Sequence, residues 1–355
     1  MDGAITDVAP ALNAGPGAPG WADVVIVAPW DLYTYYGDTR VIETNYAAMA
    51  DWLDYMRKMA TDGLYAAGRY GDWVPVEPSP KKTLAGAYQY LSIKLLAEMA
   101  QGIGKTSDAA ELRRQAASIA SLYNQRYFNV ETNQYEGNTQ TANLVPLWFG
   151  ITPEDKRAAV VENIAKNIID HDNHLTTGFI GTAYLMPALS TFGRDDLAGR
   201  IAVQRTYPSW GYMVEAGATT IWERWNSNQY EELHSGMNSF NHYAFGAVGQ
   251  WYYEYLAGIR PLEPGFKRIL IDPHPSGMQR AEASFHSMYG PIRCAWYKDN
   301  GFKMCVTIPA NTTAVIKTPV PCDADLGPGD KKTIDSRGNT SFDVGAGVFT
   351  FTATR

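Results

Sequence analysis

The chain is poor in cysteine, in positive charge and in long apolar runs, and each shortage removes a class of function. Its three cysteines, Cys294, Cys305 and Cys322, all fall late and show no metal-ligand spacing. One disulfide could form among them, but the odd number favours free buried thiols. Lys and Arg number 30 against 37 Asp and Glu, a net charge of -7, with no basic run longer than Lys331-Lys332. A nucleic-acid partner is therefore not expected, because phosphate backbones are held by clustered cations. No apolar run approaches membrane-spanning length, so no membrane partner is expected either. Met1-Asp-Gly-Ala4 lacks the basic start and apolar core of a signal peptide, and localisation stays open. Of the few histidines, His171 and His174 sit in an Asp-rich loop with no third ligand nearby. They read as exposed loop residues, and no metal or other cofactor is expected. A phosphate-cradling glycine loop and a nucleophilic serine elbow are also missing.

What is abundant is aromatic. The 22 Tyr and 10 Trp exceed what core filling requires and cluster near loops. That favours a flat, hydroxylated ligand such as a carbohydrate, although a helical barrel could use the same rings for packing alone. The densest stretch is Gly217-Ala-Thr-Thr-Ile-Trp-Glu-Arg-Trp225, followed by Met237-Asn-Ser-Phe-Asn-His-Tyr243. A carboxylate at Glu223 between Trp222 and Trp225 suits a general base acting on a sugar, since rings stack on the apolar face while the carboxylate meets water. The plainer alternative pairs Glu223 with Arg224 or Arg205 and places the tryptophans in the core. Crowding of polar and aromatic groups in a region of little helical periodicity, including Pro208-Ser-Trp-Gly-Tyr-Met213, favours the site.

Along the chain, residues 1–20 hold too much Pro and Gly to form an element. Trp21 to Gly37 reads as a helix kinked or broken at Pro29. Ile42, Tyr46, Met49, Leu53 and Met56 recur at helical spacing, as do Leu84 to Met99 and Leu112 to Tyr127, predicting three amphipathic helices. Asp108 with Glu111, and Thr152-Pro-Glu-Asp155, predict capped starts. Further helices fit Thr139 to Phe149, Gly178 to Thr191, Arg194 to Arg205 and His242 to Ala257, about nine in all. After Gly258 the period becomes two: Phe302, Met304, Val306 and Ile308 alternate with polar residues behind the turn signal Asp299-Asn-Gly301. Short strands at Phe266 to Ile271, Ala281 to Ser287, Ile292 to Tyr297, Ala314 to Pro319 and Val348 to Thr352 complete a small β-sandwich beyond a proline-flanked linker near Arg260.

Taken together, these stretches closely resemble the bacterial α-L-rhamnosidases of glycoside hydrolase family 78. The resemblance is carried by Trp21-Ala-Asp23, Ala28-Pro-Trp-Asp-Leu-Tyr33 with Tyr36-Gly-Asp38, Gly71-Asp-Trp73, Thr139-Gln-Thr-Ala142, Thr177-Gly-Phe-Ile-Gly-Thr182, Tyr207-Pro-Ser-Trp-Gly-Tyr212, Ile308-Pro-Ala-Asn-Thr-Thr313 and the two motifs quoted above. It implies a mainly α fold: an (α/α)6 toroid-type catalytic domain, N-terminally incomplete, over residues 1–259, then a small antiparallel β-sandwich over 260–355. It implies hydrolysis of terminal α-L-rhamnose from glycosides or polysaccharides with inversion. Glu223 would be the general base, and His242 would contact that base or the sugar. Trp21 and Trp73 would line the pocket against the ring and its methyl group, and Trp210 and Trp222 would shape the same mouth. Asp72 reads as a backbone-capping carboxylate.

Inversion needs a second carboxyl to protonate the leaving oxygen. The family's acid lies in an Arg-Asp-Glu-Arg type motif upstream of the position of Trp21, where this chain does not reach. Nine helices against the toroid's twelve point the same way. The resemblance therefore leaves three expectations: a catalytically incomplete fragment that binds a sugar or nothing, completion of the ring by a second chain or a homo-oligomer, or a substitute acid such as Asp7 or Asp2. Exposed apolar faces along Tyr46, Met49 and Leu53, or at Trp30 and Tyr33, would drive such association.

Overall fold

The computed structural model describes residues 3–11, 15–229, 237–335 and 340–353. The chain divides into two compact units. One gathers the residues up to Trp30 with Thr39–Phe192 and Ile201–Gly246; the other gathers Asp31–Asp38, Gly193–Arg200 and the chain from Ala247 onward.

In the helical unit, two kinds of helix alternate. Helices α2 (Arg40–Lys58), α4 (Thr106–Tyr127) and α6 (Arg157–Asp170) each bury one stripe, such as Ile42, Met49, Trp52 and Met56 on α2. Helices α3 (Lys81–Gly102), α5 (Gln140–Phe149) and α7 (Phe179–Thr191) are buried on most of their surface. Helix α3 packs on α2, α4 and α5, while α5 packs on α6 and α7. Buried inner helices thus sit behind amphipathic outer ones, the layering of a ring of helical hairpins. The periodicity predicts α3 to be amphipathic like its neighbours, and this is corrected. Its Ala85, Gly86, Ala87, Ala97 and Ala100 let other helices approach faces that a single-stripe pattern leaves to solvent.

Several boundaries also differ. Helix α1 (Val24–Tyr36) runs unbroken through Pro29. Helix α4 starts at Thr106, so Asp108 lies inside its first turn and no side chain caps it. Thr152 accepts a hydrogen bond from the Tyr135 hydroxyl at 3.1 Å instead of capping, and a 3-10 turn Glu154–Lys156 leads into α6. Helix α8 (Asp195–Ala202) is shorter than predicted. Trp210–Glu215, read as loop, forms the short helix α9, because Ser209 accepts from the Tyr212 amide at 2.9 Å. The stretch after His242 is a 3-10 turn Ala244–Ala247, a helix Val248–Trp251 and a π-helical turn Tyr252–Leu256. Of the apolar residues expected to be open, Met49 is fully buried, while Tyr46, Leu53, Trp30 and Tyr33 are half-buried.

After the short antiparallel pair β1 (Phe128–Asn129) and β2 (Gln134–Tyr135) in the helical unit, the second unit is built on two five-stranded sheets. One is ordered β10 (Lys331–Ile334), β11 (Thr340–Val344), β8 (Thr313–Lys317), β4 (Arg268–Ile271), β3 (Ile259–Pro261). The other is ordered β5 (Arg280–Ser287), β6 (Gly290–Tyr297), β7 (Lys303–Ile308), β12 (Gly347–Ala353), β9 (Cys322–Ala324). Pairing is antiparallel except between β4 and β8. Met304, Val306 and Ile308 of β7 point into a core shared with Ile269, Ile271, Trp296, Ile316, Phe342 and Phe351, as the period-two pattern predicts. Asn300 and Gly301 take the positive φ that their turn requires. All three cysteines are free, but Cys305 is exposed, which corrects the expectation of buried thiols.

Candidate functional site

Glu223 is held by its backbone. Its amide donates to the Ser239 carbonyl at 2.8 Å, and the His242 amide donates to the Ile221 carbonyl at 2.8 Å. The Thr220 hydroxyl donates to the Phe240 carbonyl. These bonds stitch residues 220–223 to 239–242, so the two aromatic motifs lie side by side. The side chain is 4% exposed, yet its carboxylate accepts no hydrogen bond from any described residue. The ion-pair alternative does not form: Arg205 pairs with Glu215, and Arg224 Nε donates to the Met237 carbonyl at 3.2 Å.

Rings close over this strip. Trp222 meets Phe240 edge-on at 5.4 Å, and Trp225 stacks on Phe245 at 4.0 Å while its Nε1 donates to the Thr177 carbonyl at 3.0 Å. Trp210 packs edge-on against Trp225 at 5.3 Å and donates from Nε1 to the Phe245 carbonyl at 2.9 Å. Trp210, Trp222 and Trp225 are all buried. The His242 ring lies 4.8 Å from Phe179, and its Nδ1 accepts from the Ala244 amide at 3.3 Å. In the neutral ring that leaves Nε2 as the donor.

A second cluster joins the first through Phe179. Trp21 packs on Tyr70 at 4.7 Å, and Tyr70 meets Trp73 edge-on at 5.5 Å. The Phe179 amide donates to the Trp73 carbonyl at 3.0 Å, which ties this ladder to the ring beside His242. Asp72 fixes the junction. Its Oδ2 accepts from the Thr141 hydroxyl at 2.5 Å and the Gly178 amide at 2.8 Å, and its Oδ1 accepts from the Gly181 amide at 2.9 Å. It caps the start of α7, as predicted. A Cβ on Gly178 would lie 2.3 Å from the Asp72 and Trp73 carbonyl oxygens, and one on Gly181 would lie 2.1 Å from Thr141 Oγ1. Only glycine fits either place. Gln140 clamps the adjoining loop, accepting from the Thr176 amide at 2.9 Å and donating to the His174 carbonyl at 3.0 Å.

Asp23 plays the corresponding part beneath Trp21. It accepts from the Gly20 amide at 2.9 Å, Trp52 Nε1 at 3.1 Å and the Ser92 hydroxyl at 2.6 Å. Burial pushes the carboxyls of Asp23 and Asp72 above the usual range, and the hydrogen bonds they accept oppose that shift. Asp7 is a loop anchor: its Oδ1 accepts from the Ala18 amide at 2.7 Å, and Arg69 lies 3.7 Å from its Oδ2. Asp2 lies outside the described residues. His171 is exposed as expected, whereas His174 is half-buried, with its Nε2 2.8 Å from the Thr206 hydroxyl. Among the described residues, no three His, Cys, Asp or Glu gather as a metal site.

Three residues go unremarked in the sequence reading. Tyr70 and Phe179 join the two clusters, and both stand beside or inside quoted motifs whose pairing only the fold supplies. Asn238 Oδ1 is buried without a partner among the described residues, while its Nδ2 donates to the Ser227 carbonyl at 3.0 Å. An unsatisfied acceptor next to the Glu223 strip is a place for water or a ligand hydroxyl.

Comparison with known proteins gives a consistent match. A family model described as the bacterial alpha-L-rhamnosidase 6 hairpin glycosidase domain matches residues 1–256, and one for the bacterial alpha-L-rhamnosidase C-terminal domain matches residues 258–332. An alpha-L-rhamnosidase of Streptomyces avermitilis is 40% identical over 324 residues, covering 90% of this chain and 31% of the relative. The crystal structure of the Streptomyces avermitilis enzyme complexed with L-rhamnose superposes with TM-score 0.94 at 37% identity, over 100% of this chain and 35% of that one. The alpha-L-rhamnosidase from Dictyoglumus thermophilum superposes with TM-score 0.92 at 33% identity, over 100% of this chain and 42% of that one. The chain spans about a third of the length of the curated relatives it matches.

Proposed function

The chain belongs to the bacterial α-L-rhamnosidase family, and on that premise we propose that it hydrolyses terminal α-L-rhamnosides, with Glu223 as the general base. The observation that carries this is a buried carboxylate whose backbone is pinned and whose oxygens meet no donor among the described residues. Such a group is a strong acceptor for a water molecule. The attacking water gives its proton to Glu223 as its oxygen bonds to the anomeric carbon from the face opposite the leaving group. The bond from that carbon to the glycosidic oxygen breaks, an aryl leaving group departs as the aryloxide, and the configuration inverts. His242 Nε2 and Asn238 Oδ1 offer a donor and an acceptor to hold that water or a sugar hydroxyl.

Trp21 and Trp73 are half-buried and joined through Tyr70, so they retain open ring surface. They serve as the apolar wall for the rhamnose ring and its methyl group. Trp210 and Trp222, buried against Trp225 and Phe240, shape the mouth from behind. We assign this chemistry to the helical domain, residues 1–259, followed by the β-sandwich at 260–355. The substrates are rhamnose-ended glycosides or polysaccharides. Asp23 and Asp72 are not assigned as the acid, because their oxygens are taken by structural donors.

The test is hydrolysis of an activated aryl α-L-rhamnoside by the chain and by Glu223→Gln. A good leaving group needs little protonation, so this substrate isolates the base. The expected result is turnover that falls on the order of a thousandfold or more in the variant. First release of the β anomer, followed by NMR, is expected for inversion. Unchanged turnover in Glu223→Gln, or first release of the α anomer, would sink the proposal.

A further inference from the structure

The second unit holds a cavity of its own, about 500 Å3, lined by Tyr35, Gln250, Tyr253, Glu254, Phe285 and His286 among others. That volume falls within the range of small-molecule sites, roughly 300–1,000 Å3. Two half-buried rings, Tyr35 and Phe285, lie 6.4 Å apart on its apolar side and are backed by the buried Phe266, 6.1 Å and 4.7 Å from them. The π-helical turn Tyr252–Leu256 supplies Tyr253 and Glu254. Such turns are rare and are frequent at functional sites.

The polar side is prepared in advance. The Tyr35 hydroxyl donates to Glu254 Oε1, and Gln250 Nε2 donates to the same oxygen at 3.1 Å. One carboxylate oxygen is thereby fixed, and Oε2 has no partner among the described residues. The edge strand β5 adds Ser284 and His286. The lining contains a carboxylate and no Lys or Arg, which disfavours an anion. A neutral sugar suits all of these features. Its C–H face lies on the rings, one or two hydroxyls donate to Oε2, and Ser284 and His286 exchange further hydrogen bonds.

We propose that this cavity is a non-catalytic binding site for a short neutral oligosaccharide, and that it holds polymeric substrate. The holding role rests on the rhamnosidase reading above, whereas the binding does not.

The probe is a neutral rhamnose-ended trisaccharide, followed by ligand-observed NMR on the Glu223→Gln chain, which cannot consume it. Tyr253→Ala and Glu254→Gln are added singly to that background. Tyr253 is 45% exposed, so its truncation spares the core, and Glu254→Gln preserves volume. Two binding events are expected in the parent, with one weakened at least tenfold by either substitution. With Glu223 intact, both variants should cleave the aryl rhamnoside normally and a rhamnose-ended polymer more slowly. Trisaccharide binding unchanged in both variants would overturn the site, and so would preference for a quaternary ammonium probe over the sugar. Normal aryl cleavage alongside unchanged binding would sink this site alone. Absent aryl cleavage with Tyr253-dependent binding would sink the rhamnosidase reading and leave the site standing.

Discussion

Two strips of the helical unit bury a carboxylate to nearly the same depth, 3% exposure at Asp72 and 4% at Glu223, and treat it in opposite ways. At Asp72 the side chain is saturated: a hydroxyl and two backbone amides converge on its oxygens and tie residues 72, 141, 178 and 181 together. At Glu223 the backbone is tied and the carboxylate is left without a donor from the described residues. A carboxylate whose oxygens are engaged is used up by the fold, whereas one held through its backbone alone stays available, and that difference is the ground for proposing Glu223 as the base. Burial alone does not separate the two.

The comparison can be broken most directly by exchanging consequences. Glu223→Gln should cost turnover on the order of a thousandfold or more while shifting Tm by only a few degrees, because no described donor depends on that carboxylate. Asp72→Asn should do the reverse. It replaces an acceptor-only group with one that must turn an NH2 toward amide donors, and should lower stability by roughly 2–4 kcal/mol in a urea titration. Activity measured well below its Tm should fall far less than in Glu223→Gln. A stable, inactive Asp72→Asn chain would dissolve the distinction.

Trp73→Ala sharpens it further. Phe179 needs only the Trp73 carbonyl, so losing the ring should leave the junction intact while raising KM for a rhamnoside about tenfold, with a smaller change in kcat.

The smallest effect is expected in the other unit, where carboxylates are balanced by cations rather than amides. Asp272 sits among Arg260 at 2.7 Å, Lys317 at 3.5 Å and His274 at 3.9 Å, and His274 also meets Asp195 at 3.0 Å. Burial would lower the His274 pKa, but Asp195 and Asp272 more than offset it and raise it to about 9 from 6.5. A raised histidine pKa means stability present in full below pH 6.5 and lost as pH climbs through about 9. After allowance for solvent screening, the loss should be on the order of 1–2 kcal/mol. His274→Gln should flatten that alkaline slope in melts between these limits, and an unchanged slope would refute the assignment.

How much of this was legible in the sequence depends on the range of the interaction. Local pattern was enough for the β7 alternation, the Asn300-Gly301 turn and the extent of α5, fitted as Thr139 to Phe149, although only the structure shows the Thr139 hydroxyl capping it by accepting from the Ala142 amide at 3.1 Å. Aromatic crowding also singled out the strips that carry Glu223 and His242, and backbone bonds lay those two strips side by side. What the sequence could not supply was long-range pairing. The bonds from Asp72 to Thr141 and Gly178 span 69 and 106 positions, and no local signal marks them. Helix α3 misled for the same reason: its periodic large residues describe one buried face, while its small residues meet neighbours on others. Asp108 misled differently, because a helix can begin before an expected start when packing outweighs local preference.

Cys305 sits on the outward side of β7, while Cys294 and Cys322 are buried and burial pushes the Cys294 thiol up to about 12. The alternation that built the sandwich has therefore sorted its thiols into one addressable and two concealed. Mild maleimide treatment should mark one sulfur per folded chain and three once that unit opens, so the mass of the product is a direct count of whether the sandwich is closed. The protein carries its own folding gauge, readable without a dye, a tag or an added mutation.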